Sequence, residues 1–509
     1  MIHLSLAMIV RNEENHLRGC LDSIREVVDE IVIVDTGSTD STIEIAQEYN
    51  ATIYSFEWIN DFSAARNYAL SKCTGEWILT LDADERLDER SVSELIRITS
   101  NKQKIGYYCT VKNYDSDTKR EHSIRSIRLF ANFEKASYSG KVFEQIDSSL
   151  LEQGVALINS KIQINHIGYD FTKEEKEAKA KRNLFLLLDD FGTNKSPYVA
   201  FQLGVTYNTL HDEENAAKYF KLASESGKLD RQYRAQCFTF LAFIAHQNHK
   251  IQDAEKNIHY SLKVDDRQPF AHLLASKISV RKNELMIAEE RCKRAYILNQ
   301  DLLNRGQESS IVTMIDPEEV IYYGLTLAIQ NKNNPNYQFY QKELHAFYHK
   351  VDGDINSRKS FFLKKLFTNA SFDKEDVEIA LGLINYNNLS FFVYMFGNNP
   401  YKQQVLIIIE NLLKKYPDSI EVQKMFAKLL DEFGRVEEAI QLLEKIIAMH
   451  QSDPSIYFYL ITYYLKIGKE DKIKPIILQL EKKFAHVQDV MTRVRTLKRK
   501  LLMFTTVPM

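Results

Sequence analysis

The stretch Trp77-Ile78-Leu79-Thr80-Leu81-Asp82-Ala83-Asp84 predicts a buried strand that ends in two carboxylates. Side chains two residues apart in an extended segment point the same way, so we expect Asp82 and Asp84 to face one spot. That spot lies beyond the carboxyl end of a strand, where open α/β sheets bind ligands. Two carboxylates there suit Mg²⁺ or Mn²⁺ that carries a diphosphate. An acidic turn after a strand is the alternative.

Strand and helix patterns alternate over about the first 170 residues. This alternation predicts right-handed βαβ crossovers and a mostly parallel, Rossmann-like sheet covered by helices. After Asp84 the pattern changes to strands of mixed direction, and the α/β part is expected to end near Phe171. The predicted strands are His3–Val10, Glu30–Val34, Thr52–Phe56, Trp77–Leu81, Gly106–Asn113, Ser126–Phe130 and Val155–Asn165, and the predicted helices are Glu13–Val27, Ser41–Tyr49 and Phe62–Lys72.

From Lys173 onward the sequence has helical spacing and an internal repeat. Ala216, Ala254 and Ala288 lie 38 and 34 residues apart in similar contexts, and Gly434 and Gly468, at predicted helix–helix turns, lie 34 apart. A period near 34, with small residues where paired helices cross, predicts a tetratricopeptide-type solenoid. A set of unrelated amphipathic helices is the alternative. Other residues that fit the repeat are Leu203, Gly204, Tyr207, Phe220, Ala223, Tyr457, Leu460 and Tyr464.

These patterns divide the chain into four expected regions. Residues 1–172 form an α/β domain and residues 173–304 form tetratricopeptide-like repeats. Residues 305–398 are helical but match the repeat poorly, and residues 399–509 return to it. Apolar faces of the terminal helices near Ile476 and Leu480 are the place where two chains would pair into a homodimer.

Composition narrows the functional classes. The 509 residues carry a formal net charge of −3 with 27% charged residues, so no global field attracts nucleic acid or anionic membrane. Five scattered cysteines without Cys-x-x-Cys spacing fit a reduced, cytoplasmic protein. The apolar start of the chain is interrupted by Arg11-Asn12-Glu13-Glu14 too early for a signal peptide, and no apolar run approaches the ~20 residues of a membrane span.

Two further polar clusters follow the first two predicted strands. Arg11-Asn12-Glu13 follows the first, and Asp35-Thr36-Gly37-Ser38-Thr39-Asp40 follows the second. The backbone amides and the helix N-terminus after the second strand can face a ligand, and Asp35 is placed to accept from a base N–H. Helix capping by Ser38 or Asp40 is the alternative use of this segment.

A third cluster, Asn60-Asp61-Phe62-Ser63-Ala64-Ala65-Arg66-Asn67, opens a predicted helix. Arg66 offers a planar cationic fork for phosphate, and Asn67 offers an amide for a phosphate oxygen or a metal-bound water. The alternative for Arg66 is a position on an exposed helix face.

Together these motifs resemble glycosyltransferase family 2, whose catalytic domain has the GT-A fold. The resemblance covers about residues 1–170. It also includes Gly140-Lys141-Val142-Phe143-Glu144 and His166-Ile167-Gly168-Tyr169. Two subgroups share these features: the lipooligosaccharide-core β-1,4-glucosyltransferases and the bacteriocin-peptide S-glycosyltransferases (sublancin glycosyltransferase-like), which also carry a helical repeat tail. The subgroup more often has His at the position of Phe143 and a second acidic residue at that of Gln145.

The resemblance implies a role for each motif residue. Asp35 would read the uracil of a UDP-sugar, and the backbone near Val10, with Asn12 and Glu13, would line the nucleotide. Asp84 would bind the metal, with Asp82 on the ribose or the metal shell and His166 as a further metal or diphosphate contact. Glu144 is the candidate base, because an inverting transfer needs a carboxylate on the acceptor side. The metal and Arg66 would stabilise the diphosphate that leaves.

Alternatives stay open for the late motifs: a hydrogen-bonded core histidine for His166, and a surface pair with Lys141 for Glu144. The leading function is a metal-dependent, inverting hexose transfer from a UDP-sugar to a peptide or protein acceptor (Cys, Ser or Thr) recruited by the repeats. A cell-envelope glycan β-glucosyltransferase is the second hypothesis. The third is a scaffold without catalysis, which predicts that UDP and Mn²⁺ do not bind.

Overall fold

The computed structural model describes residues 3–101, 105–115, 120–167, 173–305, 313, 315–350, 354–449, 453–485 and 487–505. The chain divides into two compact units, Met1–Val320 and Ile321–Met509. The first unit therefore contains both the α/β part and the helical repeats that follow it. The division at 320 differs from the expected boundaries at 172, 304 and 398, and it falls inside one helix, Pro317–Gln330.

The first unit begins with an eight-stranded mixed sheet. Its spatial order is β3-β2-β1-β4-β7-β6-β8-β5. Strands β1 to β4 are parallel, β7 is antiparallel to β4 and to β6, β8 is parallel to β6, and β5 is antiparallel to β8. The strands are β1 (Leu4–Val10), β2 (Glu30–Asp35), β3 (Thr52–Ser55), β4 (Trp77–Thr80), β5 (Glu85–Leu87), β6 (Ile105–Asp115), β7 (Arg120–Ala131) and β8 (Ala156–His166).

Helices cover the sheet because its central strands are apolar on both faces. Every residue of β4 is buried, and Leu6 and Leu79 pair in register within the core. Runs of this kind belong to a sheet that is covered on both sides. The helices of this part are α1 (Leu17–Ile24), α2 (Thr42–Glu48), α3 (Phe62–Leu70), α4 (Val92–Thr99) and α5 (Asp147–Glu152), with a 3₁₀ turn at Glu89–Ser91.

The sequence predicted the first four strands and the mixed direction of the later ones, and the structure confirms them. The first helix is shorter than predicted, because residues 13–16 form a turn in which the amides of His16 and Leu17 donate to the Glu13 carbonyl. Three elements were missed: β5, α4 and α5. The three-residue strand β5 is too short to show a period of its own, and it exists because it pairs with β8.

Helix pairs follow the sheet within the first unit. In three successive pairs the turn between the helices contains a residue at positive φ: His211 (59°), His249 (58°) and Asn283 (62°). Five residues after each of these turns lies a fully buried alanine of the second helix. The repeat that the alanine spacing predicted is therefore present in the structure. The helices of this unit are α6 (Lys173–Asn194), α7 (Pro197–Thr209), α8 (Glu213–Glu225), α9 (Arg231–Gln247), α10 (Ile251–Val264), α11 (Pro269–Arg281) and α12 (Leu285–Arg305), and the boundary between the units falls in α13 (Pro317–Gln330).

The second unit is also helical. Gly434 and Gly468 occupy turns at φ of 75° and 70°, as predicted, and Ala439, five residues after the first of them, is fully buried. Its helices are α14 (Asn334–Lys350), α15 (Asp354–Phe367), α16 (Lys374–Leu383), α17 (Leu389–Asn398), α18 (Lys402–Lys415), α19 (Ile420–Glu432), α20 (Val436–Met449), α21 (Pro454–Lys466), α22 (Ile473–Lys483) and α23 (Gln488–Thr505), with a 3₁₀ turn at Glu470–Lys472.

One expectation for the second unit is wrong. Ile476 and Leu480 are 8% and 0% exposed, because both pack into the core that α20, α21 and α23 share with α22. They therefore offer no apolar face for a second chain, whereas Leu478 on the same helix is exposed. Among the described residues, every helix is too short or too polar to cross a bilayer.

Candidate active site

The sheet topology brings the predicted motifs to one edge. The turns after β1, β2 and β4 lie at the carboxyl ends of neighbouring parallel strands. The end of β8 joins them from the other half of the sheet, because His166 lies opposite Asn113 of β6 on one side and Glu85 of β5 on the other. Residues more than eighty positions apart in the chain thus meet beside the Asp82-Ala83-Asp84 turn.

Asp84 and His166 form the first functional pair. His166 Nε2 lies 3.0 Å from Asp84 Oδ2, and its Nδ1 lies 2.8 Å from Asn113 Oδ1. Both ring nitrogens thus lie within hydrogen-bond distance of a side-chain oxygen. Burial lowers the pKa of His166, but the hydrogen bond to Asp84 and the charge of that carboxylate outweigh burial and raise it. The ring is held on both sides by side-chain oxygens, and its contact with a metal or diphosphate stays a prediction.

Asp82 has different partners from Asp84. The segment is a turn, in which the Glu85 amide donates to the Asp82 carbonyl, and not the extended segment that we expected. Arg66 Nη2 lies 2.7 Å from Asp82 Oδ1, and Arg128 Nη2 lies 3.5 Å from Oδ2. Burial raises the pKa of Asp82, but the two arginines outweigh it and hold the pKa below its ordinary range. Two guanidinium groups therefore keep this carboxylate ionised.

Arg66 connects Asp82 to the candidate base. Its Nε donates to Glu144 Oε1, and its side chain is 10% exposed. The alternative for Glu144, a surface pair with Lys141, does not form, because the Lys141 ammonium pairs with Asp189 of α6. On the other side of Asp82, Arg128 pairs with Glu85, which is 1% exposed. Charges thus alternate in one network: Glu144, Arg66, Asp82, Arg128 and Glu85.

The turn after β2 is organised by its own carboxylate. Asp35 accepts from the amides of Gly37 and Ser38 at 3.0 and 3.1 Å. Asn12, at φ 56°, accepts from the Thr39 amide, and its own amide donates to Ser38. The turns after β1 and β2 therefore hold each other in place. Contact of Asp35 with a base stays a prediction.

Two other predicted residues also have partners within the protein. The side chain of Asn67 bonds both the amide and the carbonyl of Tyr138, at 2.7 and 2.9 Å, so it fastens that segment to α3. The Val10 carbonyl accepts from the amide and the hydroxyl of Thr36. Ligand contacts of Asn67 and Val10 stay predictions. Of the two predicted helix caps, Asp40 accepts from the Thr42 amide at the start of α2, and Ser38 does not cap it.

Glu13 lies in the field of the other carboxylates. Burial, followed by the charges of Asp84, Asp82 and Asp40, raises the pKa of Glu13 from 4.5 to about 7. Its amide donates to the hydroxyl of Thr42 at 2.7 Å. Burial and the neighbouring negative charges therefore both favour the neutral form of Glu13.

Sequence reasoning missed several residues of this site. Arg128 lies in a strand that the sequence predicted as Ser126–Phe130, and it pairs with Glu85. A charged residue between the apolar Ile127 and Leu129 was the one indication in the sequence that it belongs to the site. Asn113 and Lys179 gave no signal. Burial, followed by the charge of Arg182, lowers the pKa of Lys179 against the opposing charges of Asp84 and Asp82, so this lysine of α6 lies within electrostatic reach of both carboxylates.

Asp84 and His166 fit a divalent cation. Two ligands about 2.1 Å from one octahedral Mg²⁺ or Mn²⁺ are about 3.0 Å apart, which matches Oδ2 and Nε2. Among the described residues, no three carboxylate, histidine or cysteine side chains converge on one point. The protein would thus supply two ligands and leave the other positions to diphosphate and water oxygens. Asp82, expected in the metal shell, is held by Arg66 and Arg128.

Known proteins place this site in a family. Residues 5–162 match the family model described as glycosyl transferase family 2. The N-terminal domain is a family 2 glycosyltransferase domain. A tetratricopeptide repeat-containing protein of Synechococcus elongatus is 32% identical to the chain over 253 residues, which are 48% of this chain and 62% of that protein.

The glycosyltransferase SunS of Bacillus subtilis is 26% identical over 224 residues, 43% of this chain and 52% of that protein. The chain thus spans between about half and three-fifths of the length of these relatives. Among solved structures, a tetratricopeptide repeat protein of Parabacteroides merdae has a TM-score of 0.37 and 12% identity, over 59% of this chain and 98% of that chain.

Proposed function

We propose that the chain is a metal-dependent, inverting glycosyltransferase that moves a hexose from a UDP-sugar to a Cys, Ser or Thr side chain of a peptide or protein. The observation that carries the proposal is the Asp84–His166 pair, with facing atoms 3.0 Å apart at the ligand-binding edge of a family 2 domain. A Mg²⁺ or Mn²⁺ ion held there would neutralise charge on the donor diphosphate.

The residues of the chain divide the remaining work. Glu144 accepts the proton of the acceptor S–H or O–H while the sulfur or oxygen attacks the anomeric carbon. The bond from that carbon to the diphosphate oxygen breaks, UDP leaves with the electron pair, and the configuration inverts. Arg66, which pairs with Glu144 Oε1, orients the base, and its positive charge together with that of Lys179 favours the departing anion.

The contacts of the Glu144 loop support a peptide or protein acceptor. Val142 packs into a core formed by α6, α7, α8 and α9, and Gln145 Nε2 donates to the Tyr233 hydroxyl at 3.1 Å. The loop with the candidate base is therefore built directly on the first helical repeats. Stacked helix pairs form extended surfaces that suit a long, unfolded segment of a protein.

The test is a panel of UDP-sugars with the full chain, Mn²⁺ or Mg²⁺, and synthetic peptides that contain Cys, Ser or Thr. We expect UDP with Mn²⁺ to raise the unfolding temperature, and one donor to add a hexose mass to a peptide. Sugar found on an envelope glycan and on no peptide would instead support the glycan transferase. Absence of any stabilisation by UDP and metal would leave the scaffold hypothesis.

A further inference from the structure

The loop that ends in Glu144 is closed at its base. The amide of Ser139 donates to the Gln145 carbonyl at 2.9 Å, and the amide of Gln145 donates to the Ser139 carbonyl at 3.0 Å. Residues 140–144 therefore form a short loop whose two ends are hydrogen-bonded to each other. Glu144, at its last position, reaches Arg66.

The first part of this loop is also held by contacts with residues outside it. The amide of Lys141 donates to Asp190 Oδ2 at 3.1 Å, and its carbonyl accepts from the Phe62 amide at 2.9 Å. Val142 is 8% exposed within the core of the helical repeats. The backbone of the loop thus has little freedom to choose its own conformation.

Phe143 stands apart from its neighbours in two ways. Its φ is 56°, a left-handed conformation in which a bulky side chain is an outlier, and the residue is 39% exposed. Glycine or asparagine would adopt this backbone at lower cost, and an exposed ring gains little from the hydrophobic effect. Strain of this kind persists where the surroundings impose it, and it concentrates at functional sites.

The surroundings of Phe143 point to the acceptor. Its carbonyl accepts from the Tyr198 hydroxyl at 3.4 Å, and the ring of Tyr198 on α7 meets that of Tyr233 on α9 edge to face, with centroids 5.1 Å apart. Phe143 therefore lies between the candidate base and the first helical repeat. The partly exposed Phe143 and the candidate base Glu144 are thus consecutive residues of a loop that is joined to the helical repeats.

We propose that Phe143 contacts the acceptor, and that this acceptor is a peptide with apolar side chains next to the residue that receives the sugar. The proposal rests on the proposed function and names the substrate class of the same site. The apolar ring of Phe143 would gain free energy by packing against apolar side chains of such a peptide.

The experiment uses the full chain with UDP-glucose, or the donor that the panel selects, and Mn²⁺. Short synthetic peptides carry one Cys, Ser or Thr flanked either by Leu and Phe or by Ser and Asp. The variants are Phe143→Ala, Phe143→Leu and Phe143→Gly, and the last also relieves the backbone strain. Lys195→Gly is the matched control, because Lys195 is an exposed residue at φ 45° in the loop between α6 and α7.

We expect wild type to prefer the apolar flanks, and Phe143→Ala to lower kcat/KM for those peptides roughly five- to tenfold. Release of UDP without acceptor should stay within about twofold of wild type, because the donor side is intact. The kcat/KM of Phe143→Leu for peptides with apolar flanks should lie between the values of wild type and Phe143→Ala. Phe143→Gly should lose the preference while its unfolding temperature does not fall, and Lys195→Gly should keep the preference.

Three results would overturn the inference. The first is an unchanged flank preference in Phe143→Ala, which would leave the proposed function standing. The second is an equal loss of acceptor-free UDP release and of unfolding temperature in Phe143→Ala and Phe143→Leu, which would make the ring structural. The third is hexose transfer to glycans and to no peptide, which would also reject the peptide acceptor of the proposed function.

Discussion

The donor side and the acceptor side of the candidate active site are built in different ways. On the donor side, Asp35 ends β2 and accepts from amides of the turn that follows it, while Asp84 lies in the turn after β4 and faces His166 of β8. On the acceptor side, Glu144 lies in a loop that Asp190, Val142 and Tyr233 fix to the helical repeats. The donor side is thus a property of the sheet, and the acceptor side depends on how the sheet and the repeats pack together.

Arg66 is the connection between these two sides. It binds Asp82 with one nitrogen and Glu144 with another, and its side chain is 10% exposed. Buried charges of this kind are stable only as a complete network, because an unpaired one is costly. A substitution on one side should therefore affect that side alone, and a substitution of Arg66 should affect both.

The largest effect is expected where the donor side loses its cation ligand. Asp84→Asn keeps the size of the side chain and removes the charge that faces His166. We expect sugar transfer to fall by about a thousandfold and the stabilisation by UDP with Mn²⁺ to disappear. Transfer measured by mass spectrometry and a thermal unfolding series would show both.

Asp253→Asn, on the exposed surface of α10, is the matched control for this change and should behave as wild type. The proposed mechanism would be wrong if Asp84→Asn stayed fully active in the presence of a chelator. Retained binding of UDP with Mn²⁺ would instead locate the cation on other residues.

The next effect concerns the link between the two sides. Arg66→Met leaves the Glu144 carboxylate, 13% exposed, without its guanidinium, and leaves Asp82 with Arg128 alone. Removal of one partner of a buried pair costs about 3 kcal/mol or more in the free energy of unfolding. Urea unfolding of the full chain, monitored on the first unit through tryptophan fluorescence, measures this loss.

Lys141→Met tests whether burial of the ion pair is the reason that Arg66→Met lowers the free energy of unfolding so strongly. The pair that it breaks is more exposed, with side chains 27% and 54% accessible, so the loss should be about 1 kcal/mol or less. Similar losses for the two variants would contradict the idea that Arg66 carries a buried network.

The sequence predicts more of the donor side than of the acceptor side, for a physical reason. An apolar strand followed by Asp82 and Asp84 is a local signal, because the strand's burial and the turn both follow from neighbouring residues. The pairing of Glu144 with Arg66 joins residues 78 positions apart, and it follows from packing that no local pattern encodes. Glu144 was therefore found only through its resemblance to a family motif, and Arg128 was missed although its strand was predicted.

In the helical part of the chain, too, local sequence patterns predicted some features, and others follow from packing that no local pattern encodes. Alanine spacing predicted the repeat, because every second helix needs a small residue at the same crossing point. The boundary at 320 was not predicted, because helices continue across it without a change in composition. The helical region was also expected to be separate from the α/β domain, whereas α6 carries Asp190 and Lys179 to the candidate site.

A smaller effect should follow from crowding one helix crossing that supports the acceptor side. A Cβ at Gly204 of α7 would lie 2.6 Å from the ring of Phe220, which is stacked on Phe240 and fully buried. Gly204→Ala should therefore cost about 1–3 kcal/mol of unfolding free energy through overpacking. Chemical unfolding of the full chain, with acceptor-free UDP release as a second readout, measures whether the loss stays away from the donor side.

Gly192→Ala is the matched control, because a Cβ at Gly192 of α6 meets no atom within 4 Å. That change should raise stability by about 0.5–1 kcal/mol, since alanine favours a helix over glycine. A loss of stability in both variants would show that the crossing at Phe220 is not the cause.

The smallest effect concerns the charge of the donor side. The pKa of Glu13 is raised from 4.5 to about 7 in the folded protein, first by burial and then by Asp84, Asp82 and Asp40. Between these two pH values the folded protein binds more protons than the unfolded chain, so this group makes stability fall as pH rises through the window. Glu13→Gln should remove that fall, which we expect to be about 1 kcal/mol because a half-buried group is partly screened by solvent.

The measurement is the free energy of unfolding in a chelator at about pH 5 and about pH 8. Glu44→Gln, on the exposed face of α2, is the control that should keep the wild-type slope of this free energy against pH. An identical slope in wild type and Glu13→Gln would mean that the acidic edge does not reach Glu13, and the donor side would then be less strongly negative than its three neighbouring carboxylates imply.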